Sequence, residues 1–498
     1  MKVFIITEGG RDIGFGHLTR CISLCQAFEK RKIASEFIIN GDDTIRNLLE
    51  DKRCRIFNWL KEKDRLFEII KDASIVIVDS YLADEQFYKR VSETAEIPVY
   101  MDDNMRIDYP RGFIVNSTID AEELNYPNRE TITYLLGSQY TPLRKEFWAV
   151  QEKKIKDNIE SIMITFGGDD MRDLAPRILN FLIEEYPEYK KNVVIGGAFQ
   201  NKNIKKIKEL RDKRTNLFYN PKADELKEIM LESDIAISAG GQVLYEFARM
   251  GMPTIGICVS GNQERNLKGW QKEGFVEYAG WYDDNNLKEK LKKSIEHLAN
   301  IDIRKNKSLI AKRFVDGKGS LRAVKTVLSK LFKNKLVLRK AALCDAPELL
   351  SLYNDDIVRR NSFNPEKIGW GHHLKWLTQK LKDNNCVFLI ADMSDTFLGQ
   401  IRFDIVPEKK EAIVNIGLKK DVRGLGLSPF ILNKSICELS KIRSDINLIK
   451  AYIKEKNTPS IRAFEETDFK FFEDAIVKSN KAKVYIKEIK NAGVCNEV

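Results

Sequence analysis

A histidine lies in a glycine-rich turn near the start of the chain, within residues 13–21, which read I-G-F-G-H-L-T-R-C. The apolar run at residues 3–6 predicts a buried strand before this turn, and the helical spacing of apolar residues at 21–29 predicts a helix after it. Such a turn allows a ligand to approach the backbone, and the N–H groups at a helix start bind phosphate. Histidine is the side chain whose ordinary pKa lies nearest to neutral pH, so His17 is a candidate catalytic base. The alternative is an ordinary strand–helix joint, because a lone G-x-G is a weak signal.

Two further apolar runs, at residues 74–78 and 98–101, also end in polar side chains. These are Asp79 and Tyr81 after the first run, and Asp102 and Asp103 after the second. In open parallel sheets, ligands bind beyond the carboxyl ends of the strands. We therefore expect these side chains to lie in one site with the histidine turn. Taken singly, each aspartate could instead cap a helix or stabilise a turn, which is the commoner role.

A second series of apolar runs with glycine turns begins near residue 161 and predicts another parallel sheet. The candidate ligand-binding residues that follow these runs are Gly167 and Gly168, then Gly240, Gly241 and Gln242, then Glu246, and finally Asn262 with Gln263. Two such sheets in tandem predict two Rossmann-like domains, residues 1–155 and 156–330, that face a cleft. The lysine-rich, helix-like residues 299–335 then end the second domain and form a linker.

The remaining residues, 336–498, predict an α+β domain, because a strand and a helix are followed by a hairpin and then by further strands. One of its loops is rich in glycine and opens a helix: Arg423, Gly424, Leu425, Gly426, Leu427 and Ser428. Such a loop is suited to binding a pyrophosphate through its backbone N–H groups. Asn457 and Ser460 follow a later predicted strand. The alternative for the loop is a plain strand–loop–helix joint.

Composition excludes several classes of protein. The chain has 498 residues, of which 43% are hydrophobic, and it contains no apolar run of the roughly 18 residues that a membrane helix needs. Its eight scattered cysteines include no C-x-x-C pair, which indicates reduced thiols and argues against a disulfide framework or a zinc site.

With no signal-peptide pattern at the start, we expect a cytoplasmic protein. The net charge of +10 fits anionic ligands, whereas lysines interspersed with glutamates argue against nucleic-acid binding.

Residues 1–330 resemble the nucleotide-sugar hydrolases of the pseudaminic acid pathway. These are UDP-2,4-diacetamido-2,4,6-trideoxy-β-L-altropyranose hydrolases, whose fold is glycosyltransferase-B-like and related to that of spore coat polysaccharide proteins. The motifs that carry the resemblance are Gly14-Phe15-Gly16-His17 with Arg20-Cys21, Asp79 with Tyr81, Asp102-Asp103, Leu136-Gly137 with Tyr140, Leu143 and Arg144, Phe166-Gly167-Gly168-Asp169, Gly240-Gly241 with Glu246, and Asn262-Gln263.

This resemblance implies that water attacks the anomeric carbon of a UDP-sugar and that UDP leaves with inversion. His17 would be the base, and Asp79, Tyr81 and Asp102 or Asp103 would orient the sugar. The residues implied in binding the UDP-sugar are Gly14, Gly16, Arg20, Gly167, Gly168, Gly240, Gly241, Gln242, Glu246, Asn262 and Gln263. Glu246 would contact the ribose. No metal is expected, but an alternative role for Asp102 and Asp103 is to hold Mg²⁺ rather than to contact the sugar. The chain departs from the family pattern at Ile6, Glu8 and Ser80.

The third domain resembles the Gcn5-related N-acetyltransferases. Their R/Q-x-x-G-x-G/A loop corresponds here to residues 423–428, their N-x-x-S element to Asn457 and Ser460, and the following E-x-x-x-F to Glu465 and Phe469. The resemblance implies that these residues bind acetyl-CoA. Phe464 stands where a tyrosine often acts as general acid, and a phenylalanine cannot donate a proton. The resemblance does not identify the base. His372 and His373 are candidates, but adjacent histidines point to different faces of a helix and are more often surface or packing residues.

Together the domains predict a bifunctional enzyme of pseudaminic acid biosynthesis. It would N-acetylate a 4-amino UDP-sugar with acetyl-CoA and then hydrolyse the product to release UDP. Two alternatives remain for the first two domains. One is a glycosyltransferase of the same fold that acts in surface polysaccharide synthesis, and the other is a nucleotide-sugar-binding protein without catalytic activity.

Overall fold

A computed structural model describes residues 1–10, 13–49 and 51–489. The chain divides into two compact units, residues 1–327 and 328–498. None of the described helices combines the length and the apolar character needed to cross a membrane.

The first sheet of the N-terminal unit has seven strands, which are parallel throughout and ordered β3-β2-β1-β4-β5-β6-β7. The strands are β1 (Val3–Gly9), β2 (Ser35–Gly41), β3 (Arg53–Ile56), β4 (Ile75–Asp79), β5 (Ile97–Met101), β6 (Gly112–Asn116) and β7 (Ile132–Leu136). The helices among them are α1 (Gly16–Glu29), α2 (Lys63–Ile70) and α3 (Glu85–Thr94). All residues of β1, β4 and β5 are buried, as expected for parallel strands that are covered on both faces.

The second sheet of this unit has six parallel strands in the order β10-β9-β8-β11-β12-β13. Its strands are β8 (Ser161–Thr165), β9 (Lys190–Ile195), β10 (Thr215–Tyr219), β11 (Ile235–Ala239), β12 (Thr254–Cys258) and β13 (Val276–Trp281). The helices are α4 (Leu174–Glu185), α5 (Asn201–Leu210), α6 (Ala223–Glu232), α7 (Val243–Met250), α8 (Gly261–Lys272), α9 (Leu287–Leu298), α10 (Ile301–Phe314) and α11 (Gly319–Lys335). The predicted tandem of parallel α/β sheets is confirmed.

The C-terminal unit contains one mixed sheet in the order β14-β15-β16-β17-β18-β20-β19. Its strands are β14 (Leu336–Lys340), β15 (Cys386–Met393), β16 (Thr396–Val406), β17 (Glu411–Leu418), β18 (Leu448–Lys454), β19 (Lys470–Val477) and β20 (Asn480–Glu488). Its helices are α12 (Ala346–Tyr353), α13 (Asp356–Asn361), α14 (Trp370–Lys382), α15 (Leu427–Ile442) and α16 (Thr458–Glu465). The predicted α+β class of this unit is confirmed, including the hairpin of β15 and β16.

A gap opens in this sheet between β17 and β18. The two strands run parallel, but they pair only from Glu411 to Ile413 on the β17 side. Beyond Ile413 they diverge, and a cavity of about 970 Å³ is lined by residues of both strands, including Gly417 and Tyr452. The loop before α15 also borders this cavity through Arg423 and Gly424.

One element differs from its predicted bounds. The apolar spacing predicts a helix over residues 21–29, but α1 begins at Gly16. The first turn carries few apolar residues, so periodicity alone does not reveal it. His17 consequently lies in the first turn of α1, at the end where the backbone N–H groups have no helical partner.

Candidate active sites

The polar residues of the first sheet lie where its strand order reverses. Strands β1 and β4 are neighbours although they are not consecutive, which makes the gap beyond their carboxyl ends the topological switch point. His17 follows β1, Asp79 is the last residue of β4, and Asp103 follows β5. The same rule holds for the second sheet, where the glycine turns after β8 and β11 flank the switch point. Both sets of candidates therefore lie where open α/β sheets bind ligands.

His17 and Asp79 form a close pair. The Nδ1 atom of His17 lies 2.6 Å from Oδ1 of Asp79, and the side chains are 11% and 0% exposed. Burial alone would raise the pKa of Asp79, but Arg20 and His17 hold this pKa well below its ordinary value. Because an ionised carboxylate only accepts hydrogen bonds, Nδ1 donates to Asp79, and in the neutral form of the ring the lone pair lies on Nε2. This is the protonation state that a histidine base requires.

Arg20 connects the two aspartates. Its Nε donates to Asp79 Oδ2 at 2.5 Å and its Nη2 to Oδ1 at 2.6 Å, while Nη1 donates to both oxygens of Asp103 at 2.7 and 2.9 Å. Arg20 is 8% exposed. Burial opposes its charge, but the two carboxylates raise its pKa. Since these donors already bind protein carboxylates, the geometry favours positioning of the aspartates over the substrate contact that the sequence predicts for Arg20.

The neighbours Asp102 and Asp103 have different surroundings. Asp103 accepts a hydrogen bond from the Tyr81 hydroxyl in addition to those from Arg20. In Asp102, Oδ1 accepts from the backbone N–H of Asp103 at 2.9 Å, and Oδ2 accepts from the Tyr126 hydroxyl at 2.5 Å. Asp102 is 2% exposed. Its geometry therefore favours a role in holding the loop, so that of the two alternatives Asp102 or Asp103, the sugar contact is better suited to Asp103.

Tyr81 packs against the candidate base. Its ring makes an edge contact with the His17 ring, with 4.6 Å between centroids. Burial raises the pKa of the Tyr81 hydroxyl, and Asp103 raises it further, so the hydroxyl stays protonated and can donate.

Two positions where the chain departs from the family pattern contact each other. Glu8 is 1% exposed, and its carboxylate accepts from the Ser80 hydroxyl at 2.5 Å and from the Tyr81 backbone N–H at 2.8 Å. The two departures thus form one hydrogen-bonded unit that fixes the backbone at Tyr81.

The glycine turns of the second sheet require residues without a side chain. Gly167 has a φ of +84°, and a Cβ on Gly168 would lie 2.4 Å from the Phe15 ring of the histidine turn. A Cβ on Gly240 would lie 2.6 Å from Leu267 of α8. The turn after β8 therefore approaches the histidine turn, and the turn after β11 packs closely on α8.

The other predicted UDP-sugar residues surround the turn after β11. Gln263 Oε1 accepts from the Gly240 N–H at 3.1 Å, and Gln242 Nε2 donates to the Pro142 carbonyl at 3.0 Å. Gly241 follows in the same turn, and Asn262 is exposed in the first turn of α8. Gly240, Gly241 and Gln242 after β11 thus lie beside Gln263, which follows β12, near the N-termini of α7 and α8.

Glu246 is held by an ion pair. Its Oε1 accepts from Arg144 Nε at 3.0 Å and Nη2 at 2.7 Å, and the residue is 3% exposed. Burial raises the pKa of Glu246, while Arg144 counteracts this effect. Arg144 therefore orients the carboxylate that the sequence predicts to contact a ribose.

Arg265 of α8 is a residue that the sequence reasoning missed. Its Nη2 donates to the Asp103 backbone carbonyl at 2.6 Å, and its Nε pairs with Asp120 at 2.7 Å. It thereby connects the second sheet's α8 to the aspartate loop of the first sheet. Arg265 lies two residues after the predicted site residue Gln263, and this proximity could have identified it. Sequence spacing does not reveal, however, that its side chain reaches the aspartate loop of the first sheet.

Among residues 1–10, 13–49 and 51–489, no group of three or more His, Cys, Asp or Glu side chains is arranged to hold a metal ion. The absence of a metal requirement stays a prediction.

The predicted acetyl-CoA loop precedes α15 in the C-terminal unit. Gly424 and Gly426 have φ values of +76° and +74°, and open space surrounds the position of a Cβ on either one. The side chain of Arg423 is turned to the protein, where Nη1 donates to Asp355 at 2.8 Å and Nε donates to the Leu418 carbonyl at 2.7 Å. The side chains of Leu425 and Leu427 are buried. The backbone N–H groups of Arg423 and Leu425 already donate to the carbonyls of Lys420 and Val422, at 3.3 and 3.4 Å. The binding of acetyl-CoA by residues 423–428 stays a prediction.

Asn457 and Ser460 lie at the start of α16, where Asn457 Nδ2 donates to Ser460 Oγ at 3.0 Å, and both residues line the cavity between β17 and β18. Ser428 also lines this cavity. Phe464 does so too, but it is only 4% exposed and its ring packs edge-on against Phe469 with 4.9 Å between centroids.

Substituting Phe464 with tyrosine should leave the acetyl-transfer rate similar or raise it modestly. A thiol with a pKa of about 8.5 is a tolerable leaving group, so a tyrosine donor is not essential. CoA release measured with a thiol reagent, under saturating substrates, tests this expectation. A large loss of rate would instead assign Phe464 to packing or to substrate binding.

The C-terminal unit belongs to a recognised class. Residues 335–470 match the family model of the acetyltransferase (GNAT) domain. The unit therefore has a GNAT fold, in agreement with its mixed sheet and with the loop that precedes α15.

The chain is also similar to two proteins named as hydrolases of a UDP-sugar and to one uncharacterised protein. It is 23% identical over 289 residues to the UDP-2,4-diacetamido-2,4,6-trideoxy-β-L-altropyranose hydrolase of Campylobacter jejuni, which covers 56% of this chain and 99% of that protein. It is 22% identical over 332 residues to a Helicobacter pylori pseudaminic acid cytidylyltransferase and UDP-2,4-diacetamido-2,4,6-trideoxy-β-L-altropyranose hydrolase, covering 65% and 55% of the two chains. An uncharacterised protein of Methanocaldococcus jannaschii is 26% identical over 267 residues, covering 51% and 55%.

This chain thus spans about half the length of two of these relatives. It combines similarity to hydrolases of the pseudaminic acid pathway with a GNAT domain, as the sequence motifs indicate.

Proposed function

We propose that the N-terminal unit hydrolyses a UDP-linked diacetamido sugar and that the C-terminal unit forms its 4-acetamido group from acetyl-CoA. The observation that carries the hydrolase proposal is the buried His17–Asp79 pair at the switch point of the first sheet. The similarity to proteins named as hydrolases of this UDP-sugar supports the choice of substrate. The division into domains at residues 1–155, 156–330 and 336–498 is part of this proposal.

In the proposed hydrolysis, His17 Nε2 accepts a proton from water while the water oxygen attacks the anomeric carbon. The bond from that carbon to the diphosphate oxygen breaks, and UDP leaves with inversion. Asp79 stabilises the imidazolium that forms, in the way that a buried carboxylate supports a histidine base. Tyr81 and Asp103 orient the sugar. The backbone N–H groups around Gly240 and at the start of α7 stabilise the charge of the departing UDP.

A single incubation tests the proposed function. Purified protein is mixed with UDP-4-amino-4,6-dideoxy-N-acetyl-altrosamine, with and without acetyl-CoA, and the products are followed by mass spectrometry. We expect an acetylated UDP-sugar first, followed by free diacetamido sugar and UDP. Sugar transfer to an acceptor without hydrolysis would favour a glycosyltransferase, and binding without turnover would favour a nucleotide-sugar-binding protein.

The order of the two reactions should follow from recognition of the new acetamido group. A site that hydrogen-bonds a substrate group discriminates strongly against substrates without it. The diacetamido UDP-sugar should therefore have a much higher kcat/KM for hydrolysis than the 4-amino precursor. Equal values of kcat/KM for the two substrates would contradict this order.

Hydrolysis should keep its full rate in EDTA. Magnesium prefers carboxylate oxygens as ligands, but those of Asp103 accept hydrogen bonds from Arg20 and Tyr81, and those of Asp102 accept from its loop and Tyr126. UDP release is measured after EDTA treatment and again after adding Mg²⁺ or Mn²⁺. A loss of activity that either metal restores would assign a metal site to the aspartate pair.

A further inference from the structure

Within the described part of the chain, four buried side-chain atoms of residues that line the cavity between β17 and β18 lack a hydrogen-bond partner. Arg423 Nη2 can only donate and the Tyr353 hydroxyl can donate or accept, whereas the other two atoms are Nδ1 of His373 and Oε1 of Gln400. His373 is 1% exposed and Gln400 is fully buried. Buried polar atoms are nearly always paired in proteins, so two unpaired atoms in the wall of one cavity indicate a ligand that pairs with them.

The hydrogen bonds of His373 Nε2 and Gln400 Nε2 show whether the unpaired atoms, His373 Nδ1 and Gln400 Oε1, accept or donate. Nε2 of His373 lies 2.9 Å from the Ala346 carbonyl oxygen, which can only accept, so Nε2 carries the proton and Nδ1 has a lone pair. Nε2 of Gln400 donates to Asn415 Oδ1 at 2.7 Å, which leaves Oε1 as an acceptor. Both unpaired atoms are therefore acceptors, and the ligand that fits them is a hydrogen-bond donor.

Aromatic and cationic contacts join the two residues in one region of the cavity wall. The Trp376 ring lies 5.9 Å from the His373 ring and 5.1 Å from the Arg402 guanidinium. Arg402 and Gln400 are two residues apart on β16, so their side chains leave the same face of the sheet. His373 also packs against Tyr353, the last residue of α12.

We propose that His373 Nδ1 and Gln400 Oε1 bind the amine that accepts the acetyl group, and that His373 removes a proton from it. This inference rests on the acetyltransferase role proposed above and names the base for that reaction. An ammonium group offers the N–H donors that two acceptors require.

In this step one proton passes from the ammonium group to His373 Nδ1. The neutral amine nitrogen then forms a bond with the thioester carbonyl carbon, and the bond from this carbon to sulfur breaks. The second proton leaves the new amide nitrogen and neutralises the CoA thiolate. An amine must lose its proton before it can attack, so the base determines the rate at neutral pH.

The charges around His373 are compatible with a neutral imidazole. Burial lowers the pKa of His373, while the contact with the Ala346 carbonyl opposes this effect. On the neighbouring elements, burial raises the pKa of Tyr353 of α12 and raises the pKa of Cys386 of β15 to about 11. Both are therefore neutral at physiological pH. Among the charged side chains that line the cavity, Arg402 of β16 is paired with Asp404 at 2.9 Å.

The test compares His373→Gln with His372→Gln. A glutamine amide at 373 can still donate to the Ala346 carbonyl but has no basic nitrogen, so this variant should fold with a melting temperature close to that of the wild type. His372 is exposed on α14 and also lines the cavity, so His372→Gln tests the alternative base. Acetyl transfer is measured by CoA release across pH 6–9.5, with the UDP-4-amino sugar as acceptor and, separately, with n-butylamine at high concentration.

We expect His373→Gln to lower kcat by about two to four orders of magnitude near pH 7. The KM for acetyl-CoA should stay unchanged, and the loss should shrink as rising pH deprotonates the amine without a base. His372→Gln should keep the wild-type profile. If the enzyme acetylates n-butylamine but not the UDP-amino sugar, the proposed substrate is wrong. The role of His373 as a base is then tested with n-butylamine as the acceptor. The inference is overturned if a folded His373→Gln keeps its rate, if His372→Gln loses the same activity, or if the wild type acetylates neither amine.

A second variant tests the other acceptor atom. Gln400→Met keeps the approximate shape of the side chain but removes the amide oxygen. The KM for the acceptor amine should rise by about tenfold, which is the effect of losing one hydrogen bond to a charged group. The KM for acetyl-CoA should not change. A variant with an unchanged acceptor KM would exclude Gln400 from the amine site.

Discussion

Replacing His17 with alanine should lower the kcat of UDP-sugar hydrolysis by about two to four orders of magnitude, the usual contribution of a positioned acid–base group. The structure supports this expectation because Asp79 accepts from Nδ1 and so directs the free lone pair to Nε2. The carboxylate stays ionised because Arg20 also donates to it through two nitrogen atoms. Single-turnover and steady-state measurements of UDP release, with the pre-acetylated substrate, give the required rates.

The control for this variant is His297→Ala. His297 is half-exposed, lies near the end of α9 and contacts Glu277, at a distance of 3.0 Å from the carboxylate. The His297→Ala substitution removes an imidazole from the same unit but does not alter the glycine turns, so hydrolysis should remain at the wild-type rate. UDP binding by calorimetry should be nearly unchanged in His17→Ala, because the residues proposed to bind UDP follow strands β8, β11 and β12 of the second sheet. Near-wild-type turnover in His17→Ala would refute the assignment of the base.

Gly426→Asp should abolish acetyl transfer and leave hydrolysis of the pre-acetylated UDP-sugar intact. The left-handed φ of +74° costs about 1–2 kcal/mol for a residue with a side chain. The new carboxylate would also repel a pyrophosphate bound at the loop, and opposed like charges cost several kcal/mol. Together these costs correspond to a loss of acetyl-CoA affinity of about a hundredfold or more. Binding of CoA by calorimetry and product formation by mass spectrometry measure the two effects.

Gly426→Ala separates the two causes. Alanine adds the cost of the left-handed backbone but no charge, and the position of its Cβ is in open space. We expect a partial loss of acetyl-CoA affinity with alanine and a nearly complete loss with aspartate. If both variants acetylate at the wild-type rate, the loop is a plain joint between strand and helix. If Gly426→Asp also abolishes hydrolysis, the two reactions are not independent.

Much of the fold follows from local sequence patterns. Buried parallel strands are continuous apolar runs, so β4, β5, β8 and β12 are visible in the sequence. Glycine turns and polar residues after these runs identify the carboxyl ends of the strands. The rule that ligands bind at these ends then predicts a shared site before any contact is known. The apolar spacing predicts a helix only from residue 21, whereas α1 begins at Gly16, because the first turn of α1 carries few apolar residues.

The sequence by itself therefore determined the types of sheet, the turns that carry His17 and Gly426, and the group of acidic residues near the histidine. The tertiary structure decided what each side chain contacts. Asp102 and Asp103 are adjacent, yet Tyr126 binds one and Arg20 the other. Local patterns cannot distinguish such neighbours, because their hydrogen-bond partners come from distant segments of the chain.

The two histidines of α14 show the same limit. Spacing indicates only that His372 and His373 point to different faces of the helix. The fold buries His373 against the Ala346 carbonyl, on the helix that precedes α14 by two elements, and leaves His372 exposed. Which nitrogen of His373 keeps a lone pair is thus set by a contact between residues 27 positions apart. Periodicity describes how residues are arranged along one element, whereas proton positions depend on the packing of several elements against one another.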